Sequence, residues 1–269
     1  MKFLALLASL PFESDRILAS MTNVRTTKIA GKTVYMGKYS GLDILLLNTG
    51  IGKVNAAHSA TGIIEYFPIR CIINLGIGGA YPESGLKKGD IAIALKEIYG
   101  DEGIYNAKDC RGIKNIGIPL VQIGKKKYFN EFPLNPPQPL PTGQAGPFNT
   151  CAPRRKKGNK VGLPKGRNKK ESKKDGRVDF QIKPGSFITV SAVTGTLRRA
   201  VELEKRFNAV CENMEGAAIA HVCSIYKIPM LEIRGISNIA GVRDRRKWKL
   251  KLASENCQKA VLKAISSLV

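Results

Sequence analysis

The sequence predicts an α/β protein built as a three-layer αβα sandwich, with helices on both faces of a central sheet. Two features favour this class: short apolar runs alternate with segments of helical periodicity, and glycine-rich stretches follow several of the runs. The chain has 269 residues, of which 43% are hydrophobic, so it can bury the core of one large domain over residues 1–269. No apolar run reaches the roughly 18 residues of a membrane span.

The first half of the chain supplies three apolar strands. We expect the first over residues 3–10, a hairpin over residues 28–38, the second apolar strand over residues 42–48 and the third over residues 71–75. Glu13 follows the first strand directly. A carboxylate in that place suits a catalytic group of an α/β enzyme, and a solvated acid near a helix start is the alternative interpretation.

Two glycine-rich stretches follow strands in this half. Residues 49–55 (TGIGKVN) lead into an expected helix, and residues 76–80 (GIGGA) follow the third strand. Glycines in such places let the backbone approach a flat ligand or present N–H groups to it, although tight turns are equally common there. His58 and His221 lie on predicted helices and lack partners at metal-ligand spacing, so we interpret both as structural.

The second half continues the alternation. A strand pair is expected at residues 89–99, strand segments at residues 118–123 and 186–190, and helices at residues 195–207, 214–226 and 244–268. Between the last two helices, residues 228–233 form an apolar run typical of a central strand. Gly235 to Asn238 come next, at the carboxyl end where open α/β sheets bind ligands. Met214 and Glu215 begin the preceding helix, and we expect the carboxylate to face the same pocket as the amide of Asn238.

A basic, proline-rich segment interrupts this pattern. The chain carries a net charge of +23, and residues 151–177 alone contain twelve Lys or Arg against two acids. Few large apolar side chains occur there, so we predict a disordered or loosely held insertion at about residues 134–183. Clustered cations could bind nucleic acid, but the only aromatic residues nearby, Phe148 and Phe180, flank them, which favours a solvated loop.

The six cysteines lack the spacing of a metal site or of a secreted disulfide framework. The N-terminal apolar stretch is followed at once by acids and has no convincing cleavage site, so we interpret it as a strand rather than as a signal peptide. These features predict a cytoplasmic protein without a bound metal.

Three motifs carry a family resemblance: residues 49–54 (TGIGKV), 213–218 (NMEGAA) and 234–238 (RGISN). Together they resemble the motifs of the nucleoside phosphorylase and nucleosidase superfamily, and residues 212–252 are most similar to the futalosine hydrolases. The resemblance covers nearly the whole chain outside residues 134–183. It implies a phosphorylase/hydrolase-like fold with a mixed central sheet, cleavage of an N-glycosidic bond without metal or organic cofactor, and assembly into a homo-oligomer.

The resemblance also implies roles for single residues. Glu13 corresponds to the carboxylate that activates water in the family, and Met214 and Glu215 correspond to the pair that holds the ribose. The backbone of four further residues is implied to line the base site: Gly78, Gly79, Phe187 and Ile188. Such a site suits an oxocarbenium-like transition state, in which negative charge develops on the leaving purine and positive charge on the ribose.

Asn238 departs from the pattern of the nucleosidases that act on adenine nucleosides, which carry an aspartate that donates a proton to N7 of the base. An asparagine cannot act as a general acid, but its amide donates hydrogen bonds. A 6-oxopurine presents two acceptors on that edge, N7 and O6, whereas a 6-aminopurine presents a donor at position 6. Asn238 therefore favours hypoxanthine as the leaving group, and a turn asparagine is the alternative interpretation.

Two comparisons within the superfamily bear on the nucleophile and on the substrate. Asn74 stands where a related phosphorylase carries an arginine for phosphate, and the carboxylate of Glu13 would repel an anion, so we expect hydrolysis. Futalosine carries an aryl carboxylate on its 5′ side, with which Arg243, Arg245 or Arg246 could pair. A solvated, basic helix start is the alternative interpretation of these arginines.

The sequence thus predicts hydrolysis of futalosine to hypoxanthine and dehypoxanthine futalosine, a step of menaquinone biosynthesis. The expected partners are a small-molecule nucleoside and further copies of the chain, with no membrane. Three alternatives stay open: a nucleosidase for methylthioadenosine or aminodeoxyfutalosine, a phosphorylase of 6-oxopurine nucleosides, and a nucleic-acid-binding protein that uses the basic insertion.

Overall fold

The computed structural model describes residues 2–105, 110–135 and 180–268. The strands in these ranges are β1 Phe3–Ala8, β2 Thr22–Ile29, β3 Lys32–Tyr39, β4 Leu42–Asn48, β5 Ile69–Ala80, β6 Ile91–Tyr99, β7 Gly103–Tyr105, β8 Cys110–Gly112, β9 Val121–Ile123, β10 Lys126–Tyr128, β11 Glu131–Pro133, β12 Ile182–Thr189, β13 Ala209–Asn213 and β14 Met230–Ile239. The α-helices are α1 Asp15–Ser20, α2 Lys53–Tyr66, α3 Leu197–Phe207, α4 Gly216–Tyr226 and α5 Leu250–Ser266.

Ten of the described strands form one mixed sheet. Nine of them lie in the order β11-β6-β12-β13-β5-β1-β4-β3-β2, and β14 pairs with both β5 and β6. Strands β1, β4, β5 and β14 are parallel, whereas the pairs β2–β3, β3–β4 and β14–β6 are antiparallel. Because β14 bridges β5 and β6, these three strands close into a small barrel with β12 and β13. The predicted α/β fold with a mixed central sheet is confirmed.

Helices cover both faces of the sheet. Helices α2 and α4 pack on one face, and α1 and α5 pack on the other. Strand β1 contributes to both cores: Ala5 and Leu7 pack with the α2–α4 layer, whereas Leu4 and Leu6 pack with the α5 layer. Successive side chains of a strand point to opposite faces, so a strand that is covered on both sides is apolar throughout. This is why apolar runs located the central strands correctly.

Two stretches that were expected to follow strands are parts of those strands. Residues 76–80 and 235–238 lie within β5 and β14, because these strands stay paired up to Ala80 and Ile239. A bulge between Ile236 and Asn238 shifts the register there. The glycines therefore supply a strand surface without side chains, rather than a reversal of the chain.

Other boundaries also differ from the prediction. The first strand ends at Ala8, the expected strand pair at residues 89–99 is the single strand β6, and α5 begins at Leu250 after a short 3₁₀ turn. Most of the predicted insertion, residues 136–179, lies outside the described residues. Its predicted end at residue 183 is too late, because β12 already pairs with β6 from Ile182 onward.

The two histidines make contacts within the fold, as their structural interpretation predicts. His58 Nε2 lies 2.9 Å from the carbonyl oxygen of Ala30, and the ring of His221 stacks on Phe132 with ring centroids 4.7 Å apart. Among the helices of the described ranges, none is long and apolar enough to cross a membrane.

Candidate active site

Six chain segments meet at one edge of the sheet and border a cavity of about 350 Å³. Four of them follow or include the carboxyl ends of β1, β4, β5 and β14, which lie together because these strands are parallel. The fifth segment leads from β12 into α3 and contributes Val193, and the sixth leads from β13 into α4. Six residues with predicted roles line this cavity: Glu13, Gly78, Gly79, Met214, Glu215 and Asn238.

Glu13 lies in a 3₁₀ turn directly after β1, and only 3% of its surface is exposed. Its carboxylate accepts hydrogen bonds from the backbone N–H groups of Leu10 and Ile77, each at 2.8 Å. Burial raises the pKa of Glu13, while the positive charge of Arg234 and the two backbone donors oppose that rise. Glu13 is therefore a fixed carboxylate with an increased affinity for protons, which suits a general base.

Arg234 is fully buried in β14 and links the carboxylates around the cavity. Its Nε donates to Glu232 Oε1 at 2.9 Å, and its Nη2 lies 3.5 Å from Glu215 Oε2. This arginine is part of the motif RGISN, for which no role of the arginine was predicted. A usable signal was present, because an arginine inside an apolar strand is rarely buried without carboxylate partners.

Glu215 is positioned by the start of α4, where it is the N-cap residue. The side-chain oxygen of Asn213 accepts hydrogen bonds from the backbone N–H groups of Glu215 and Gly216, at 2.9 and 2.7 Å. The Glu215 carboxylate accepts a further bond from the backbone N–H of Gly52, at 3.0 Å. The side chain is thus held between the start of one helix and the turn before another.

A second pair of carboxyl groups lies behind Arg234, formed by Glu97 of β6 and Glu232 of β14. Both are fully buried, and their carboxyl groups lie beside each other. Thr189 and Asn213 donate to Glu97 at 2.7 and 2.6 Å. Burial raises the pKa of Glu97, and the adjacent carboxylate raises it further; burial also raises the pKa of Glu232, against the charge of Arg234. Two adjacent buried carboxylates do not both stay ionised, so the pair holds one proton.

Asn238 and Gly79 form one end of the cavity. The Asn238 Oδ1 accepts from the hydroxyl of Ser237 at 2.7 Å, and Nδ2 donates to the carbonyl of Ile239 at 3.1 Å. An amide nitrogen has two hydrogens, so one donor remains for a ligand. A Cβ on Gly79 would lie 3.3 Å from Nδ2 of Asn238. The glycine therefore keeps the space beside the amide open for a flat ring.

Phe187 and Ile188 lie away from the cavity. Phe187 is packed in the barrel with Ile236, and Ile188 packs with Tyr81; both predicted residues are fully buried. Strand β12 pairs on one side with β6 and on the other with β13, so its backbone N–H and C=O groups form hydrogen bonds within the sheet. The expectation that the backbone of these two residues lines the base site does not hold in this structure.

Two further residues singled out in the sequence also lie away from the cavity. Asn74 is buried within β5, and Arg246 makes two hydrogen bonds to the carboxylate of Asp244, at 2.9 and 3.0 Å. Arg243 and Arg245 do line the cavity and are exposed. The candidates for binding a substrate carboxylate are therefore reduced from three arginines to two.

Comparison with known proteins identifies the family. The family model of the phosphorylase superfamily matches residues 4–266. The chain belongs to the phosphorylase superfamily. This match includes the strands and turns that border the cavity.

Sequence relatives of the chain are nucleosidases. A futalosine hydrolase from Thermus thermophilus is 29% identical over 253 residues, which cover 93% of this chain and 95% of the relative. A 5′-methylthioadenosine/S-adenosylhomocysteine nucleosidase from Marinomonas sp. is 28% identical over 260 residues, which cover 95% of each chain. The predicted class, an N-glycosyl hydrolase, is confirmed by these relatives, which differ in substrate.

Solved structures of the same fold come from both kinds of nucleosidase. A 5′-methylthioadenosine/S-adenosylhomocysteine nucleosidase from Colwellia psychrerythraea, in complex with adenine, has a TM-score of 0.73 and 22% identity, and the match covers 99% of this chain and 96% of that one. The futalosine hydrolase of Helicobacter pylori has a TM-score of 0.71 and 17% identity, with 98% and 97% covered. These likenesses establish the fold.

Gly216 offers a test of the buried carboxyl pair. A Cβ at this position would lie 2.1 Å from Glu97 Oε1 and 2.5 Å from Glu232 Oε2. We expect Gly216→Ala to lower the free energy of unfolding by about 1–3 kcal/mol, the usual cost of overpacking, although alanine is otherwise the better helix former. Chemical denaturation measures the change.

Gly195→Ala is the matched control, because a Cβ there meets nothing within 4 Å. It should change the free energy of unfolding by less than about 1 kcal/mol. Equal stability of Gly216→Ala and the wild type would show that the two carboxyl groups do not occupy the positions described.

Proposed function

We propose that this chain hydrolyses the N-glycosidic bond of futalosine and releases hypoxanthine and dehypoxanthine futalosine. The observation that carries the proposal is that Glu13, Glu215 and Asn238 border one cavity, where each can meet a different part of one nucleoside. The identity of 29% with the Thermus thermophilus futalosine hydrolase supports this choice of substrate. The reaction would use no metal or organic cofactor, and it would belong to menaquinone biosynthesis.

Glu13 is the proposed general base. It would take a proton from water as the water oxygen bonds to the anomeric carbon, while the C1′–N bond breaks and the purine keeps the bonding electrons. The purine anion would then take up a proton from solvent to become hypoxanthine. The backbone donors Leu10 and Ile77 hold the carboxylate for this step. Because burial raises the pKa of Glu13, its basic form is lost as the pH falls through that raised value. Activity should therefore fall at a higher pH than an ordinary glutamate would set.

Glu215 and Met214 are the proposed ribose-binding residues. The Glu215 carboxylate lines the cavity between the N–H of Gly52 and the guanidinium of Arg234, and it can accept hydrogen bonds from ribose hydroxyls. Its negative charge also stabilises the positive charge that develops on the sugar in the transition state.

Asn238 is proposed to bind the leaving base. Its remaining amide hydrogen can bond to N7 or O6 of a 6-oxopurine and stabilise the negative charge that develops on the ring. The amide supplies this hydrogen bond without transferring a proton. This distinguishes the proposed mechanism from one that uses an acid at the same place.

The charges around the cavity favour water over phosphate as the nucleophile. Glu13 and Glu215 present two carboxylates, and the guanidinium of Arg234 is already paired with Glu215 and Glu232. A phosphate in this place would meet two negative charges in a region of low dielectric, where repulsion is strong. A phosphorylase of 6-oxopurine nucleosides is therefore the weaker candidate.

Arg243 and Arg245 are proposed to bind the aryl carboxylate of futalosine. Both line the cavity, and Arg243 lies over the ring of Trp248 at 5.3 Å from its centroid. A fixed guanidinium beside an aromatic ring suits an aryl group that carries a carboxylate.

A cytoplasmic location and a homo-oligomeric state also belong to the proposal. Four cysteines in the described part of the chain are free and buried: Cys71, Cys211, Cys223 and Cys257. Free thiols fit a reducing compartment. The oligomeric state is proposed from the family resemblance.

The substrate is tested by measuring base release from futalosine, inosine and methylthioadenosine, each with and without phosphate. We expect fastest release of hypoxanthine from futalosine, at a rate independent of phosphate. Glu13→Gln should lower kcat by about 10²–10⁴-fold, the usual contribution of a general base, with an unchanged unfolding transition. Phosphate-dependent turnover would favour the phosphorylase, and faster adenine release from methylthioadenosine would favour the second nucleosidase activity, which the Marinomonas relative supports at 28% identity.

The arginines are tested by charge reversal. We expect Arg243→Glu and Arg245→Glu to raise KM for futalosine by about 10–100-fold, the value of a lost charge-assisted hydrogen bond, with little change for inosine. Arg246→Glu is the control, because this side chain pairs with Asp244 away from the cavity. Equal effects on futalosine and inosine would contradict the assignment.

A further inference from the structure

We propose that Glu212 selects the base of the substrate, by accepting a hydrogen bond from N1–H of a 6-oxopurine that lies across Gly79 from Asn238. The inference rests on the proposed nucleosidase function and adds the residue that distinguishes a 6-oxopurine from a 6-aminopurine at the second edge of the ring. No motif in the sequence assigned a role to this glutamate.

Strand register places Glu212 and Asn238 on either side of Gly79. Gly79 pairs with Glu212 of β13 in one direction and with Asn238 of β14 in the other. Paired residues on neighbouring strands project from the same face of a sheet, so the three positions form a row with a glycine in the middle. Both outer residues line the cavity. Neighbouring strands lie about 4.8 Å apart, so the two strands that flank β5 are separated by about twice that distance. This separation leaves room for a purine between the side chains of Glu212 and Asn238.

The carboxylate of Glu212 is buried and still has an acceptor position free. The backbone N–H of Thr194 donates to Oε1 at 3.0 Å, the Thr194 hydroxyl donates to Oε2, and the hydroxyl of Tyr81 donates to Oε2 at 3.2 Å. A carboxylate has about four acceptor positions, so three donors leave one on Oε1. Glu212 lines the cavity, and we assign this position to a ligand bound there.

Donors around Glu212 limit the cost of its burial. Burial raises the pKa of Glu212, and the Thr194 donors, the Tyr81 hydroxyl and the positive charge of Arg243 reduce that rise without cancelling it. Burial also raises the pKa of Tyr81, so the phenol keeps its proton and donates it in the hydrogen bond. Donors that converge on one carboxyl group stabilise the carboxylate, which can act as an acceptor only.

Hypoxanthine and adenine present opposite groups to this row. In hypoxanthine, N1 carries a hydrogen and O6 is an acceptor; in adenine, N1 is an acceptor and position 6 carries a donor. The carboxylate of Glu212 matches N1–H, and the amide of Asn238 matches O6 and N7. Adenine would place the lone pair of N1 against a carboxylate with no hydrogen between them, and a buried mismatch of this kind is strongly rejected. Both ends of the row therefore select the same base.

Binding of free bases tests this inference without turnover. Wild-type protein, Glu212→Gln and Glu212→Ala are titrated calorimetrically with hypoxanthine, adenine and 1-methylhypoxanthine. We expect the wild type to prefer hypoxanthine to adenine by about tenfold or more, from one hydrogen bond to a charged group. Glu212→Gln should lose most of this preference, because its amide can donate to N1 of adenine. Glu212→Ala should bind 1-methylhypoxanthine more tightly than the wild type, because the space of the lost carboxylate accepts the methyl group.

Tyr81→Phe separates base selection from a structural role. It removes one hydrogen bond that holds Glu212 and keeps the carboxylate, so it should keep the preference for hypoxanthine. An unchanged preference in Glu212→Gln, or the same change for both bases in Glu212→Gln and Tyr81→Phe, would overturn the inference. A gain in 1-methylhypoxanthine binding cannot result from misfolding and would support it.

Hydrolysis of futalosine is measured separately on the wild type. Base selection that depends on Glu212, without any hydrolysis, would refute the proposed reaction and retain the inference. Hydrolysis of futalosine with a base preference that is independent of Glu212 would retain the reaction and refute the inference.

Discussion

One buried guanidinium holds the candidate active site together. Arg234 is 1% exposed, and its charge faces the carboxylates of Glu232, Glu215 and Glu13. An unpaired charge in the protein interior costs several kcal/mol, and the pairing of Arg234 with these carboxylates offsets that cost. The cluster thus places charged groups beside the cavity, where water is largely excluded. Charges in such a place act strongly on the charge that develops in a transition state.

The charge balance of this cluster also sets its geometry. The proton that Glu97 and Glu232 share removes one negative charge from around Arg234. Glu97 in turn accepts a hydrogen bond from Asn213, which caps α4 and so fixes the position of Glu215. The buried pair is therefore connected to Glu215 by hydrogen bonds as well as by charge. A substitution in the buried pair should therefore alter the position of Glu215, and a substitution of Glu215 should alter the environment of the pair.

Much of the site could be predicted from the sequence, because it lies where parallel strands end. The apolar runs located these strands, and their parallel order predicts that Glu13 and Asn238 meet at one edge. The position of Phe187 could not be predicted in this way. Closure of the barrel around it depends on β14 pairing with two strands that lie far away in the chain. The contact between Glu97 and Glu232 depends on the same pairing, and no local pattern marks it.

The most direct test of the role of Arg234 is the pH dependence of kcat/KM in Arg234→Met/Glu232→Gln. Removing both members of the ion pair avoids leaving Glu232 charged and unpaired, and thermal unfolding verifies that the variant is folded. Glu13 loses the nearby positive charge that lowers its pKa. The acid limb of the residual activity should move up by about 1–3 pH units relative to the wild type, whereas Glu232→Gln alone should not raise it. An acid limb that coincides with that of the wild type would contradict this account.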